Sequence, residues 1–336
     1  MAKIKHFRLN HLYDHYPLYL AIYGQPPHDR ARDVREAAIV VHAWVERFMK
    51  QPTINLDTGA ISRGLRIMEL FSGSSSEHEA EFRRALQMPI KEYHLSDLVK
   101  HPDTDSRVMV ADITGDPTED LLARKNAYDI LLAFYFSAGS FLKESQQDDP
   151  YPVLDKMMEN AAYMTAPGGL YVLDILQNPV DGCMSALIEG DSDGETERSV
   201  GIYSFNPLRK ALGLPVVGGY CELVYRLENK VSRTRFLSLD RLFDIRVKFN
   251  NVVVARFSVK EPLSQIAFTE GELVRSAKKA GFDNFIFLSA IDAENNEYRI
   301  DLDEWLHPTD KADELPSEFF ATKIGFVKSN QKKSSR

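Results

Sequence analysis

The stretch RIMELFSGSSSEHEAEFRRAL, Arg66–Leu86, runs from an apolar segment through a glycine and serine turn into a segment with helical periodicity. Between residues 65 and 176, five apolar runs alternate with helical patterns of this kind. Such alternation is typical of βα units, which place helices on the faces of a parallel sheet. The number and spacing of the runs predict an α/β fold with a doubly wound sheet.

The segments outside this region have other patterns. Residues 1–60 contain a tyrosine group and then an apolar stripe at helical spacing. Residues 177–262 pass from a Gly-, Pro-, Asp- and Ser-rich insertion to short β-branched and aromatic segments, which predict an antiparallel meander. Residues 263–328 return to helix and strand patterns, with Gly281 as the expected end of a helix. Residues 329–336 are polar and predict a disordered tail.

Composition excludes several classes of protein. The chain has 336 residues, a formal net charge of −8 and two cysteines. The acidic balance argues against a broad surface for nucleic-acid phosphates, and two cysteines are too few for a disulfide framework or a cysteine zinc site. No metal site is expected. The sequence has no secretory signal pattern and no apolar run near the roughly 20 residues of a membrane helix, so we expect a soluble, cytoplasmic protein without a membrane partner.

The turn after the first strand is the first place to expect a ligand, because ligands of open parallel sheets bind beyond the carboxyl ends of the strands. Gly73 would let the backbone approach a ligand there. The turn has neither the G-x-G-x-x-G spacing of dinucleotide-binding folds nor a Gly-Lys-Ser/Thr phosphate loop. Glu69 precedes it, and a carboxylate suits an ammonium or sulfonium ligand better than a pyrophosphate. The alternative is a structural Glu69, satisfied by helix amides or by Arg63 or Arg66.

Four further segments follow this turn in the order ADITGD, YDILLAFYFSAGSFL, MTAPGGLYVLDIL and FTEGELVRSAKKAGF. Together with Glu69-x-x-x-Gly73, they resemble the motifs of class I S-adenosylmethionine-dependent methyltransferases over about residues 65–290. The resemblance implies a Rossmann-like, seven-stranded, mostly parallel sheet with an antiparallel last strand. It also implies a helical lid at 1–60 and a cofactor-binding core at 61–176 that is completed by 263–328. The antiparallel β insertion at 177–262 would form the acceptor pocket or a dimer contact.

The resemblance further implies S-adenosylmethionine as the cofactor and two sets of site residues. The residues implied to bind the cofactor are Glu69, Ser72, Gly73, Ser74, His94, Asp112, Ile113 and Phe134. The residues implied to lie at the reacting groups are Tyr16, Tyr19, Phe134 and Tyr135. Asp112 would accept the adenine amino group, and His94 would replace the family's acidic ribose ligand at the end of the second strand. Phe71 and Ser75 stand where the family has glycines, which predicts a less strained or bulkier turn.

The leading hypothesis is methyl transfer to a nitrogen or oxygen atom of a small molecule by in-line displacement, which needs alignment and no catalytic triad. One alternative is transfer or cyclisation of the aminocarboxypropyl arm of the same cofactor. Another is a catalytically inactive protein that binds a partner as a scaffold. The acidic composition disfavours a nucleic-acid acceptor. Apolar surface on the lid or the meander could pair two subunits in a homodimer.

Overall fold

The computed structural model divides the chain into two compact units. It describes residues 4–23, 27–49, 63–72, 77–97, 106–134, 149–174, 194–201, 206–215, 217–233, 237–261, 263–268, 270–292, 295–302 and 321–328. The smaller unit comprises residues 1–26 and 182–267, and the larger unit comprises residues 27–181 and 268–336.

The described residues form the following helices and strands. The α-helices are α1 Tyr16–Tyr23, α2 Pro27–Trp44, α3 Glu77–Leu86, α4 Glu119–Leu122, α5 Tyr151–Met164, α6 Asn206–Ala211 and α7 Glu270–Ala280. The strands are β1 Lys5–Leu9, β2 Leu65–Leu70, β3 Ile90–Asp97, β4 Val108–Val110, β5 Tyr128–Ala133, β6 Thr165–Asp174, β7 Gly194–Gly201, β8 Cys221–Arg233, β9 Leu237–Phe249, β10 Val252–Val259, β11 Leu263–Ala267, β12 Phe282–Asp292, β13 Glu297–Leu302 and β14 Ala321–Lys328. A 3₁₀ helix, Leu12–His15, precedes α1, and a π-helical turn, Val45–Met49, follows α2.

The larger unit contains an eight-stranded sheet in the order β13-β12-β14-β6-β5-β2-β3-β4. Strands β2 to β6 pair in parallel, whereas β14 is antiparallel to both β6 and β12. The chain passes from β2 to β3 and β4 and then returns to β5 on the other side of β2, so the strand order reverses between β2 and β5. This confirms the predicted doubly wound sheet with its antiparallel last strand. The edge strand β13, antiparallel to β12, is an addition to the expected seven strands.

Helices α2 and α3 cover one face of this sheet. Val40 and Trp44 of α2 and Phe82 of α3 are fully buried there in a single apolar cluster. Helix residues four apart lie on one side of the helix, so the apolar stripe of α2 faces the sheet along its length. The approach is closest at Gly325 on β14, where an added Cβ would lie 2.7 Å from Val40 Cγ1.

The smaller unit contains a six-stranded sheet in the order β1-β10-β9-β8-β7, with β11 paired to β9. Every pair is antiparallel except β1 with β10. One face packs with α1 and α6 in an apolar cluster that includes Leu18, Leu208 and Phe257. This is the antiparallel meander that the β-branched and aromatic segments predict.

The structure divides the N-terminal stretch differently from the sequence prediction of one helical lid over residues 1–60. A strand, β1, lies in this stretch, and the boundary between the units falls after Pro26. The backbone groups of β10 need partners on the side away from β9, and β1 supplies them. The predicted tail at 329–336 lies outside the described residues. No helix in the described part of the chain is long and apolar enough to cross a membrane.

Candidate functional site

The candidate site lies at the carboxyl edge of the larger sheet, where the strand order reverses. After β2 the chain continues through Phe71 to Ser72, whose amide donates a hydrogen bond of 3.0 Å to the carbonyl of Ser96. Phe71 has a φ of 58°, in the left-handed region that glycine adopts without steric cost. For a phenylalanine this conformation costs about 1–2 kcal/mol. At Phe71, therefore, the turn follows the bulkier of the two predicted alternatives and not the less strained one.

Ser72 is the described polar residue within this turn. Its side chain is 7% exposed, and its Oγ has no hydrogen-bond partner among the described residues. A buried hydroxyl without a partner costs free energy, so a polar ligand group would be stabilised here. Gly73 and Ser74, the other predicted residues of the turn, lie outside the described residues.

Glu69 has different partners from those expected. It is fully buried, its Oε1 lies 2.7 Å from His78 Nδ1, and its Oε2 accepts a hydrogen bond of 2.7 Å from the Tyr93 hydroxyl. Arg66, one expected partner, forms a 2.8 Å salt bridge with Asp129 instead. His78 and Tyr93 thus engage both carboxylate oxygens between the sheet and α3, and the contact of Glu69 with a cofactor stays a prediction. Glu69 positions the start of α3.

His78 connects Glu69 to the end of β5. Its ring centroid lies 5.0 Å from that of Phe134, which directly follows β5 and is 2% exposed. The Nζ of Lys323 lies 5.9 Å from the centroid of the same phenyl ring, within cation–π range. His78 and Lys323 were not predicted from the sequence, because only the packing of α3 on the sheet and the pairing of β14 with β6 bring them to this edge.

Lys323 is the centre of a buried charge cluster. It is 1% exposed and donates a hydrogen bond to Asp174, the last residue of β6. Its Nζ also lies 3.5 Å from Asp33 Oδ1 and 3.7 Å from Glu36 Oε2, both on α2. Burial alone would lower the pKa of Lys323, but the three carboxylates outweigh burial and raise it. The charged Lys323 therefore fixes α2 to the edge of the sheet.

Asp112 and Ile113 follow β4 at the same edge. Asp112 Oδ1 accepts hydrogen bonds from the amide and the hydroxyl of Thr114, at 2.9 and 2.6 Å. The Ile113 carbonyl accepts a hydrogen bond of 2.8 Å from the side chain of Asn160 on α5. A Cβ on Gly115 would lie 2.8 Å from Asp112 Oδ2. Within the described part of the chain Oδ2 has no hydrogen-bond donor, and it remains free to accept one from a ligand.

His94 does not lie at the strand end predicted for it. β3 ends at Asp97, and His94 is paired opposite Met68 within the strand. Its Nδ1 lies 2.9 Å from the hydroxyl of Tyr128, the first residue of β5. Burial and the charge of Arg124 lower the pKa of His94, so its ring is neutral near pH 7. The assignment of His94 to the ribose position is therefore corrected, and Asp97 occupies the end of β3.

Two of the three predicted catalytic tyrosines belong to the smaller unit, and the third is not described. Tyr16 and Tyr19 lie on α1 in the smaller unit, and their stacked rings have centroids 6.3 Å apart. Their three-residue spacing on a helix accounts for this contact. Tyr135 lies outside the described residues. Of the predicted cofactor residues, the structure brings Ser72, Asp112, Ile113 and Phe134 to the carboxyl ends of the parallel strands.

No protein-family model matches the sequence, and no curated protein gives a significant match. Among solved structures, DesVI from Streptomyces venezuelae matches 85% of this chain and 96% of its own length, at 13% identity and a TM-score of 0.47. A SAM-dependent methyltransferase from Thermotoga maritima, described as a possible histamine N-methyltransferase, matches 96% and 100% of the two chains at 10% identity and a TM-score of 0.40. The 1,6-didemethyltoxoflavin-N1-methyltransferase of Burkholderia thailandensis matches 91% and 92% at 10% identity and a TM-score of 0.33.

The sheet itself carries the fold assignment. Its parallel strands reverse their order between β2 and β5, and the last strand of the chain, β14, inserts antiparallel between β6 and β12. This is the arrangement that the order of the sequence motifs predicts. The larger unit therefore has the class I S-adenosylmethionine-dependent methyltransferase fold.

Proposed function

We propose that this protein is a methyltransferase that binds S-adenosylmethionine and methylates a nitrogen or oxygen atom of a small molecule. The observation that carries the proposal is Asp112, whose Oδ1 is held by Thr114 while Oδ2 is left to accept a hydrogen bond. An adenine amino group is a donor that fits this acceptor, and the buried Ile113 beside it supplies an apolar contact. Ser72 Oγ offers a second polar group at the same edge.

The groups at this edge suit a cationic cofactor. S-adenosylmethionine supplies a methyl group that is activated by its sulfonium charge. Asp33, Glu36 and Asp174 surround the ammonium of Lys323, and Arg32 lies 3.8 Å from Glu36. Carboxylates and the aromatic face of Phe134 both favour a positive ligand group.

The protein's part in such a transfer is to align the reactants and to exclude water. Phe134 is suited to this part, because it is buried and packed against His78, which Glu69 holds in turn. A side chain locked by its neighbours positions a reactant more precisely than a mobile one. Asp112 and Ile113 would orient the adenosine part of the cofactor. The roles of Tyr16 and Tyr19 at the acceptor stay predictions from the sequence.

The test is a product assay with S-adenosylmethionine and a panel of small amines and phenols. The proposal predicts formation of S-adenosylhomocysteine together with a methylated acceptor, and loss of both products in Asp112→Ala. The exposed Asp116→Ala is the matched control, because it removes the same charge from a side chain that is 99% exposed. Equal product formation by the two variants would contradict the role of Asp112.

A second candidate is transfer of the aminocarboxypropyl arm, and Phe71 is the observation that favours it. A phenylalanine in a glycine-like conformation places a large side chain at the turn where the methionine part of the cofactor would bind. The same assay separates the candidates, because aminocarboxypropyl transfer releases methylthioadenosine and methyl transfer releases S-adenosylhomocysteine. A scaffold protein without cofactor would release neither product.

A further inference from the structure

A groove of about 430 Å³ opens on the larger sheet, away from the carboxyl edge. Its lining includes Met68, His94 and Met109 of three adjacent strands, and Tyr128 at the start of β5. Met68 alternates along β2 with Ile67, which faces the α2 and α3 cluster, so Met68 faces the opposite side of the sheet. The volume is within the range of about 300–1,000 Å³ that is usual for small-molecule sites.

The connection between β4 and β5 explains why this face is open. Its helix, α4, has four residues, whereas α5 in the next connection has fourteen. A single turn of helix cannot cover the strands beneath it. Tyr128 is six residues before Phe134, which corresponds to roughly 20 Å along a strand. The groove therefore reaches the opposite end of β5 from the candidate cofactor site.

A chain of hydrogen bonds crosses the groove. The guanidinium of Arg124 donates to the Tyr128 oxygen, and the Tyr128 hydroxyl lies 2.9 Å from His94 Nδ1. The Tyr128 hydroxyl can donate its hydrogen to Nδ1. In that tautomer the neutral ring of His94 carries its proton on Nε2, where it can donate to a ligand. Tyr128 is 1% exposed and is fixed in this arrangement.

The charges of the groove leave one cation without a carboxylate. Glu92 pairs with Lys91 at 3.2 Å, and Arg107 pairs with Glu79 at 2.7 Å. No carboxylate lies within salt-bridge distance of Arg124 in the part of the chain that the structure describes. The groove therefore offers two donors, Arg124 and His94 Nε2–H, above apolar thioether walls. Thioether sulfur makes favourable contacts with aromatic rings.

We infer that this groove is a second ligand site, which binds a small aromatic anion with its acidic group on Arg124 and His94 and its ring against Met68 and Met109. A carboxylate or sulfonate accepts hydrogen bonds from both donors. The inference rests on the groove alone and is independent of the proposed methyl transfer.

Fluorescence titration with 8-anilinonaphthalene-1-sulfonate tests this site in the full-length protein. The native protein should bind the dye saturably. Arg124→Gln should weaken binding at least tenfold, and Tyr128→Phe should weaken it severalfold by releasing His94. Lys125→Gln is the matched control, because it removes the same charge from the exposed neighbouring residue, and it should change affinity by less than twofold.

Three results would overturn the inference. The first is the absence of saturable dye binding by the native protein. The second is equal affinity of native protein, Arg124→Gln and Tyr128→Phe, with folding of both variants checked by thermal unfolding. The third is loss of dye binding in Asp112→Ala, which would place the dye at the carboxyl edge and not in the groove.

Discussion

Gly115 lies against the carboxylate of Asp112, and this contact can be used to test the adenine assignment without removing the carboxylate. In Gly115→Ala the new Cβ would lie 2.8 Å from Asp112 Oδ2 and 3.2 Å from its Cγ, so the carboxylate must turn away. We expect S-adenosylhomocysteine affinity to fall about tenfold, which corresponds to a lost hydrogen bond to a charged acceptor. The midpoint of thermal unfolding should stay nearly constant. Unchanged affinity would show that Oδ2 does not bind the cofactor.

The variant Tyr93→Phe tests how much the hydrogen bond between Tyr93 and Glu69 stabilises the fold. Tyr93→Phe leaves Glu69 Oε2 buried without its 2.7 Å hydrogen bond, and should lower the free energy of unfolding by about 1–3 kcal/mol. Tyr163→Phe is the matched control, because it removes an exposed hydroxyl that bonds the Leu122 carbonyl. The two values come from denaturant titrations. A loss in Tyr93→Phe no larger than in the control would mean that Glu69 does not depend on Tyr93.

The sequence predicts residues at strand ends better than it predicts their partners. Asp112 and Phe134 were predicted from the motifs ADITGD and YDILLAFYF that resemble those of the family, and each lies just after a strand. His94 was misplaced, because the polar alternation of KEYHLSD does not mark where β3 ends. The partners of Glu69 were missed because His78 lies in a helix and Tyr93 in another strand. A single sequence does not show how these elements align with β2.

At the scale of elements, Lys323 holds α2 on the sheet. Lys323→Met removes the ammonium that contacts Asp33, Glu36 and Asp174, and leaves their buried carboxylates without it. Breaking a buried ion pair in this way costs about 3–5 kcal/mol. Lys279→Met is the control, because its 2.9 Å salt bridge with Asp155 is exposed and should contribute about 0–1 kcal/mol. Equal stabilities of the two variants, measured by denaturant unfolding, would contradict this role.

Lys328 couples the end of β14 to the C-terminus of α5 and makes stability depend on pH. Its Nζ donates to the carbonyls of Ala162 and Thr165, and burial together with the nearby Lys125 lowers its pKa from 10.5 to about 8. Between these values the unfolded chain binds a proton that the folded chain does not. Lys328 should therefore make the free energy of unfolding rise with pH between about pH 8 and pH 10.5.

Lys328→Met should remove this contribution, so the native protein should gain stability relative to the variant between pH 8 and 10.5. Denaturant unfolding at both ends of the window measures the difference. The exposed Lys278→Met is the control for general effects of charge removal. A native-minus-variant difference that is constant or falls with pH would contradict the account.

Long elements with clear periodicity were predictable, and short ones were not. The apolar runs of β2, β5 and β6 and the stripes of α3, α5 and α7 are visible in the sequence. The strands β1 and β13, KHFRL and EYRIDL, alternate charged with apolar residues over five or six positions. Such a pattern is too short to identify an edge strand without its neighbour.

At the scale of the whole molecule, the chain builds its smaller unit from two separate segments, 1–26 and 182–267. Composition marks the second segment as different from the core, but nothing in the sequence of the first links it to the meander. The parallel pairing of β1 with β10 depends on a contact across about 250 residues. Tertiary pairing over such a distance has no local signal, whereas the larger sheet repeats one local unit and was predictable.

Calorimetric titration measures cofactor binding at the carboxyl edge of the larger sheet without an acceptor. We expect the native protein to bind S-adenosylmethionine and S-adenosylhomocysteine with micromolar dissociation constants and not to bind NADH. Asp112→Ala should weaken binding of both sulfur nucleotides by at least tenfold, the effect of a lost hydrogen bond to a carboxylate, and Asp116→Ala should not. Failure of the native protein to bind either nucleotide, or binding that Asp112→Ala leaves unchanged, would contradict a cofactor site at this carboxyl edge.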